Sequence, residues 1–414
     1  MEPEPAPAAD PGAATVVCTQ EGGADVALPL AQLVAQLCSG DSSVASYRTV
    51  RLQEEERGLA LSDAVDLDDV AGVEDSAERA EIAELLSSAL LSAAAGVPEG
   101  SPGDTGVASL AEPGSEEAGT LAGLRKEAEA KHGAERILTL TVPYGAEYVD
   151  TTLLRFLRAR GGVLADALEM LGDCLELRER EQVDTILSRP LAPAVLQHIH
   201  SCYDEGWLPS PDKLGRPVYI LVGGRTGERL AKLFSPPVEG MAWELADVTE
   251  AFMHWHLQMM EYLNRVVYAR FSQRAGKLVN KFVMIDDLSG MSTKGVTQIM
   301  KFVDIMKRMS EVDQLLYPEG LGTMYFVNAP WLFSGPWKAI SSLLTEDTRR
   351  RVHVVSAEET EAVLKQTVDT EALPSFLGGE LEGEYVTGPE VLTTDFFKAC
   401  DVSAAAPIPS SSGV

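Results

Sequence analysis

Three short apolar runs set the pattern of the C-terminal half: Phe282-Val-Met-Ile285, Met324-Tyr-Phe-Val327 and Val352-His-Val-Val355. Their apolar residues are consecutive rather than alternating, which suits strands covered on both faces. The two segments between them are long and apolar enough for helices. The order strand, helix, strand, helix, strand therefore predicts a mainly parallel sheet with crossover helices. Polar residues mark the strand ends: Asp286-Asp287 after the first, Asn328 after the second, and Arg349-Arg350-Arg351 before the third. A ligand site along these edges is the first functional expectation.

Upstream, Pro217-Val-Tyr-Ile-Leu-Val222 reads as the first sheet strand, and Asp247 to Arg274 as a long helix carrying Phe252, His256, Met259, Met260, Leu263 and Val267. Val183 to Gly206 reads as helical with loops. Residues 119 to 181 have helical spacing throughout. Leu121 to His132 is a charged helix that Gly133 ends. Asp150 is the expected N-cap of the next, whose apolar face is Leu153, Leu154 and Leu157. Gly161-Gly162 closes it, and Leu164, Leu168, Leu171 and Leu175 mark a further amphipathic helix. Residues 1 to about 115 are rich in Ala, Gly, Pro, Ser and acid. Such a composition buries too little apolar area to offset chain entropy, so this segment is expected to be largely disordered. Two patches within it, Val26 to Leu37 and Ala77 to Ala95, have helical spacing.

Charge sharpens this division. Residues 1–123 hold 23 of the 63 acidic residues but only 4 of the 34 basic ones. With no long Lys/Arg cluster, nucleic acid is disfavoured as a partner. The five cysteines are spread out and form no CxxC pair, which suggests neither a disulfide framework nor a zinc ribbon. No apolar run reaches the roughly 18 residues of a membrane span, and the N-terminus has neither signal-peptide nor transit-peptide character. The expectation is a cytoplasmic protein that visits membrane surfaces peripherally.

Catalytic signatures are not found. His254 and His256, like His198 and His200, stand two apart, and on a helix such positions diverge by about 160°, so one ion cannot bridge them. No glycine-rich loop is expected after any strand, and no nucleophile has a base nearby in sequence. Asp287 is expected to bond neighbouring backbone at a strand end. The chain is therefore not read as an enzyme, and no cofactor or metal is expected.

Seven motifs in order resemble the CRAL-TRIO family: Leu153-Leu-Arg-Phe-Leu-Arg-Ala-Arg160, Asp166-Ala-Leu-Glu-Met-Leu171, Gly215-Arg-Pro-Val-Tyr219, Asp287-Leu-Ser-Gly290, Tyr317-Pro-Glu319, Asn328-Ala-Pro330 and Leu373-Pro-Ser-Phe-Leu-Gly-Gly379. The resemblance covers about 120 to 385 and is nearest to the fungal and plant phosphatidylinositol transfer proteins. It implies a helical N-terminal unit, 119–183, and a lipid-binding α/β domain, 195–385, followed by a tail, 386–414. A mainly parallel sheet would floor an apolar cavity, with Phe282, Met284, Met324 and Phe326 on it. The helix Trp331 to Leu344 would be a mobile lid carrying Trp331, Phe333, Trp337 and Ile340, with Gly335-Pro336 as a hinge.

The same resemblance implies a headgroup site of Arg160, Glu319, Thr348 and Arg351. Gly161 departs from it by replacing a lysine, and Phe282 and Met284 stand where the fungal proteins have small hydroxyl residues, so a choline pocket of that type is not expected. On the residues alone, Glu319 and Arg351 read first as an ordinary ion pair tying a helix end to a strand, and Arg158 and Arg160 as surface charges. The implied function is non-catalytic binding and transfer or presentation of a phospholipid, phosphatidylinositol foremost. A carrier of a tocopherol- or retinoid-type isoprenoid and a lipid-sensing scaffold stand as alternatives. A lipid kinase or other protein would meet the acidic residues 1–115.

Overall fold

The computed structural model describes residues 15–20, 24–39, 47–52, 65–66, 114–141, 148–330, 333–382 and 386–387. At the front, strands β1 (Thr15–Gln20), β2 (Asp25–Pro29), β3 (Tyr47–Leu52) and β4 (Val65–Asp66) form an antiparallel sheet in the order β2-β1-β3-β4. Helix α1 (Leu30–Ser39) follows β2 directly. These elements divide the helix expected over Val26 to Leu37 into strand and helix, while most of the segment expected to be largely disordered lies outside the described residues. Val16, Cys18, Leu28, Leu33 and Leu37 are buried, a small apolar set that an average over 115 residues conceals. The patch Ala77 to Ala95 lies outside the described residues.

The helical unit follows the sequence closely. Helices α2 (Glu116–His132), α3 (Ala134–Thr139), α4 (Val149–Ala159) and α5 (Leu164–Arg180) share a core that includes Leu124, Leu153, Leu154, Leu157, Leu171 and Leu175. Ser115 caps α2, its hydroxyl accepting from the Ala118 N–H at 3.1 Å, and Gly133 ends it at φ 86. Asp150 is not the cap of α4. Tyr148 holds that position without a side-chain bond, and Asp150 instead accepts from Arg125 Nη1 at 3.0 Å, tying α4 to α2.

Next come α6 (Pro193–Cys202), β5 (Glu205–Trp207), β6 (Val218–Leu221), α7 (Gly223–Leu233), α8 (Leu245–Tyr262) and α9 (Tyr268–Ala275), the last two joined by a π turn at Leu263–Val267. The chain continues as β7 (Phe282–Asp287), α10 (Thr293–Leu316), β8 (Leu321–Val327), α11 (Ser334–Leu343), α12 (Glu346–Arg350), β9 (Val352–Val354), α13 (Ala357–Thr367) and β10 (Val386–Thr387). The sheet order is β10-β5-β6-β7-β8-β9. Strands β6 to β9 run parallel, as the apolar runs predict, while β5 and β10 are antiparallel additions at one edge. Strand β5 falls where helix and loop were expected; its three residues, with an acid and a glycine, carry no strand signal.

Alternation along β7 separates two faces. Val283 and Ile285 point to one side and pack with Val218, Ile220, Val327, Leu364 and Val368 in a solid layer. Phe282, Met284 and Asp286 point to the other, where the helices leave a cavity.

A buried charge network joins the helical unit to this domain. Arg178 on α5 donates to Glu261 on α8 at 3.0 Å and pairs with Asp184, while Arg265 also binds Glu261 and the Tyr317 hydroxyl donates to it at 2.8 Å. Burial alone would raise the Glu261 pKa, but Arg178 and Arg265 outweigh it and hold the carboxyl below its ordinary range. The stabilisation is therefore present above the unfolded carboxylate value of about 4.3 and is lost as pH falls through the folded one. Removing one partner of a buried pair strands the other. Arg178→Ala is expected to lower stability at neutral pH by about 3–5 kcal/mol, read from the urea midpoint; a loss under about 1 kcal/mol would show that the network does not hold the two parts together.

Candidate lipid-binding site

The cavity has a volume of about 440 Å³. Its floor is Phe282, Met284, Met324 and Phe326 from β7 and β8, and Phe333, Ile340, Leu343 and Leu344 line it from the region of α11. Of the expected lid residues, Trp337 is not among the lining; it stacks on Phe333 with ring centroids 6.3 Å apart and meets Phe326 edge-on. Trp331 lies outside the described residues.

Gly335 and Pro336 fall in the first turn of α11. There a missing N–H breaks no intrahelical bond, so the pair stands at the start of the helix rather than inside it. Its other end is held instead: the Leu343 carbonyl accepts from Ser310 Oγ at 3.2 Å and Gln314 Nε2 at 3.1 Å, both on α10.

One end of the cavity is polar. Arg160, Glu319, Thr348 and Arg351, spread over nearly 200 positions of sequence, all line it, together with Arg158. Arg351 Nη2 donates to Glu319 Oε2 at 2.7 Å and its Nη1 to the Leu321 carbonyl at 2.7 Å. Glu319 sits at φ 61, a left-handed conformation that turns the chain into β8. Thr348 Oγ1 lies 2.8 Å from the hydroxyl of Thr345, the N-cap of α12. Arg158 makes a two-pronged pair with Glu117 on α2, at 2.7 and 2.8 Å, and this hydrogen bonding holds the Glu117 carboxyl below its usual range. The Arg160 guanidinium donates to the Ala159 carbonyl at 3.1 Å. The Glu319–Arg351 pair thus both ties a strand end and faces the cavity.

Much of the wall was not anticipated. Ile299, Phe302, Met306, Met309 and Asp313 of α10 recur at spacings of three and four and line the cavity along one stripe; that spacing was readable in the sequence. Gly223, Gly224 and Gly227 follow β6 but lie within α7 rather than in a loop, and they serve close packing. A Cβ at Gly224 would stand 2.3 Å from the Ser289 carbonyl, and one at Gly227 2.9 Å from that of Gly295 on α10. The Gly223 N–H at the start of α7 donates to Asp286 Oδ1 at 2.9 Å. Asp287 behaves as expected, accepting from the Ser289 N–H, the Ser289 hydroxyl and Asn328 Nδ2. His254 bonds the Arg189 carbonyl and His256 lies 2.7 Å from Asp313 Oδ1, so the pair diverges.

Family models match this organisation: residues 204–379 match the CRAL/TRIO domain and residues 119–173 the CRAL/TRIO N-terminal domain. The chain is 30% identical over 237 residues to the Sec14 cytosolic factor of Schizosaccharomyces pombe, covering 56% of this chain and 75% of that one. The chain belongs to the CRAL/TRIO family. It is also 30% identical over 270 residues to the SEC14 cytosolic factor of Kluyveromyces lactis, 64% of this chain and 82% of that protein. The phosphatidylinositol/phosphatidylcholine transfer protein SFH9 of Arabidopsis thaliana is 30% identical over 55% of this chain and 36% of its own length. Among solved structures, that of Sfh5 superposes with a TM-score of 0.47 and 16% identity, covering 69% of this chain and 95% of that one.

Within this CRAL/TRIO domain the α11 clamp has a measurable consequence. Gln314→Ala removes one of two donors from the Leu343 carbonyl, which is worth about 1 kcal/mol or less. Hydrogen exchange of the α11 amides is expected to quicken severalfold with the sheet amides unchanged; unaltered exchange in α11 would show that Ser310 alone sets its stability.

Proposed function

We propose that this protein binds a phospholipid, phosphatidylinositol foremost, and transfers or presents it between membranes without catalysing a reaction. One observation carries the reading: the four expected headgroup positions, Arg160, Glu319, Thr348 and Arg351, line one end of a cavity whose floor of Phe282, Met284, Met324 and Phe326 is apolar. Arginine suits a phosphodiester because its planar fork offers paired donors, and Glu319 can accept from inositol hydroxyls. The name of the Arabidopsis relative, a phosphatidylinositol/phosphatidylcholine transfer protein, supports the same reading, and those of the Schizosaccharomyces and Kluyveromyces cytosolic factors support work in the cytosol; peripheral visits to membranes follow from the transfer reading. The functional units are taken as 119–183 and 195–385.

The energetics favour a carrier. Two acyl chains hold on the order of thirty methylenes, and exposing them to water costs about 25 kcal/mol at ~0.8 kcal/mol each. A cavity lined by Phe, Met, Leu and Ile replaces that cost with an exchange of one apolar surrounding for another. Headgroup contacts then choose the lipid. Phe282 and Met284 line the floor with no hydroxyl, which disfavours a choline pocket there and leaves room for a less polar second ligand.

Two outcomes test this. Arg351→Ala is expected to reduce phosphatidylinositol transfer between vesicles at least tenfold with the circular dichroism spectrum unchanged. Transfer at the wild-type rate would remove the headgroup assignment. Trp337→Asp places a charge on α11 at a residue that packs behind the lining side chains Phe326 and Phe333, and aromatic rings favour the bilayer interface. Exchange should slow at least fivefold while bound lipid is retained; loss of the lipid would make α11 an ordinary wall rather than a gate.

A further inference from the structure

A second, smaller pocket lies at the joint between the helical unit and the cavity domain. Its volume is about 30 Å³, room for about two waters or one small ion. Thr152 and Arg155 line it from α4 and Arg178 from α5, while Glu261, Arg265 and Tyr317 face them from the cavity domain. Three guanidiniums thus stand around one carboxylate.

The charges do not cancel. Arg178 and Arg265 are committed to Glu261, and both also pair with Asp184. Glu261 has no acceptor capacity to spare, since it takes bonds from both arginines and from the Tyr317 hydroxyl. Arg155 pairs with no acid among the described residues. Its Nε donates to the Pro318 carbonyl at 2.7 Å, its Nη2 is buried without a partner, and its Nη1 makes no bond among the described residues. Three arginines therefore stand against two acids, and one positive charge is left over.

Donors are left over as well. Arg265 spends Nε on Glu261 and Nη2 on Asp184, which leaves Nη1 unused among the described residues. The hydroxyl of Thr152, on the same wall as Arg155, is likewise uncommitted among them. Folded proteins rarely leave buried donors unmatched without a reason, and ligand recognition is one. Water would accept from these groups but leave the charge unmatched, which is costly away from solvent. A dianion would overshoot, with one negative charge too many beside the Glu261 carboxylate. Volume and surplus charge both point to a small ion of single charge.

We propose that Arg155, Arg265 and Thr152 form a binding site for a monovalent inorganic anion of the chloride class, separate from the lipid cavity. The ion accepts from the Arg155 Nη groups, Arg265 Nη1 and the Thr152 hydroxyl, and neutralises the one surplus charge in the joint. Tyr317 and Pro318 line both this pocket and the lipid cavity. The ion therefore sits behind the segment that carries Glu319, and Arg155, through the Pro318 carbonyl, connects the two. Its effect is on the stability of the joint, whatever lipid the cavity holds.

Thermal unfolding of the full chain at fixed ionic strength and neutral pH, with sodium gluconate replaced stepwise by sodium chloride, tests the site. Gluconate is too large for the space, whereas an ion that binds only the folded chain raises the midpoint. The wild-type midpoint is expected to rise by about 2 °C or more and then level off as the site fills. Arg155→Gln is expected to abolish the rise. The two salts are compared within each variant, so a general loss of stability does not move the readout. Equal midpoints in both salts, a rise that never levels off, or the full rise in Arg155→Gln would each overturn the proposal. A larger rise with sodium phosphate than with chloride would overturn the assignment to a monatomic ion. Should Arg155→Gln fail to unfold cooperatively, chlorine NMR of the wild type decides: line broadening that bromide displaces supports the site, and its absence rejects it.

Discussion

A sheet that is apolar on both faces must be covered on both, and this one is covered unequally. The period of two along β7 sends Val283 and Ile285 into a solid layer under α13, while Phe282 and Met284 face a space that no side chain fills. Close-packed interiors resist such voids, because a cavity forfeits contacts on every wall. A hollow lined by Phe, Met, Leu and Ile therefore has its natural complement in an apolar ligand. The helices around it are arranged accordingly. The α10 stripe of Ile299, Phe302, Met306 and Met309 forms a wall, the glycines of α7 let that helix pack closely beside α10, and Ile340 and Leu343 of α11 line a further side.

Polar groups sit at the ends of this hollow rather than along its length. At one end the Glu319–Arg351 pair is anchored to backbone through the Leu321 carbonyl, and Arg158 is anchored to α2 through Glu117. The helical unit is thereby part of the mouth, and the Arg178–Glu261 network fixes it there through a fully enclosed contact. Tyr317 bridges the two regions: its hydroxyl reaches Glu261, and two residues later Glu319 faces the cavity. At the other end Asp286 lines the wall and accepts from the Gly223 N–H.

The parallel sheet was legible because consecutive apolar runs have one simple explanation, and the helical unit because leucines recur at three and four. That Arg160, Glu319, Thr348 and Arg351 line one cavity was legible only through ordered motifs, since nothing in the local pattern brings Arg160 near Thr348. What was missed is instructive. Strand β5 is three residues long and holds Glu205, which composition reads as exposed; its burial comes from tertiary position alone. The front sheet was hidden by averaging, although Val16, Cys18 and Leu28 are buried there. Asp150 looked like a cap because Asp commonly is one, yet Arg125 claims its carboxylate from another helix.

Native mass spectrometry of the full chain after incubation with phosphatidylinositol-containing vesicles bears most directly on the cavity's role. A lipid-transfer cavity predicts one adduct per chain with the mass of a single phosphatidylinositol, surviving removal of the vesicles. A chain that emerges with no phospholipid adduct from vesicles in excess would contradict it.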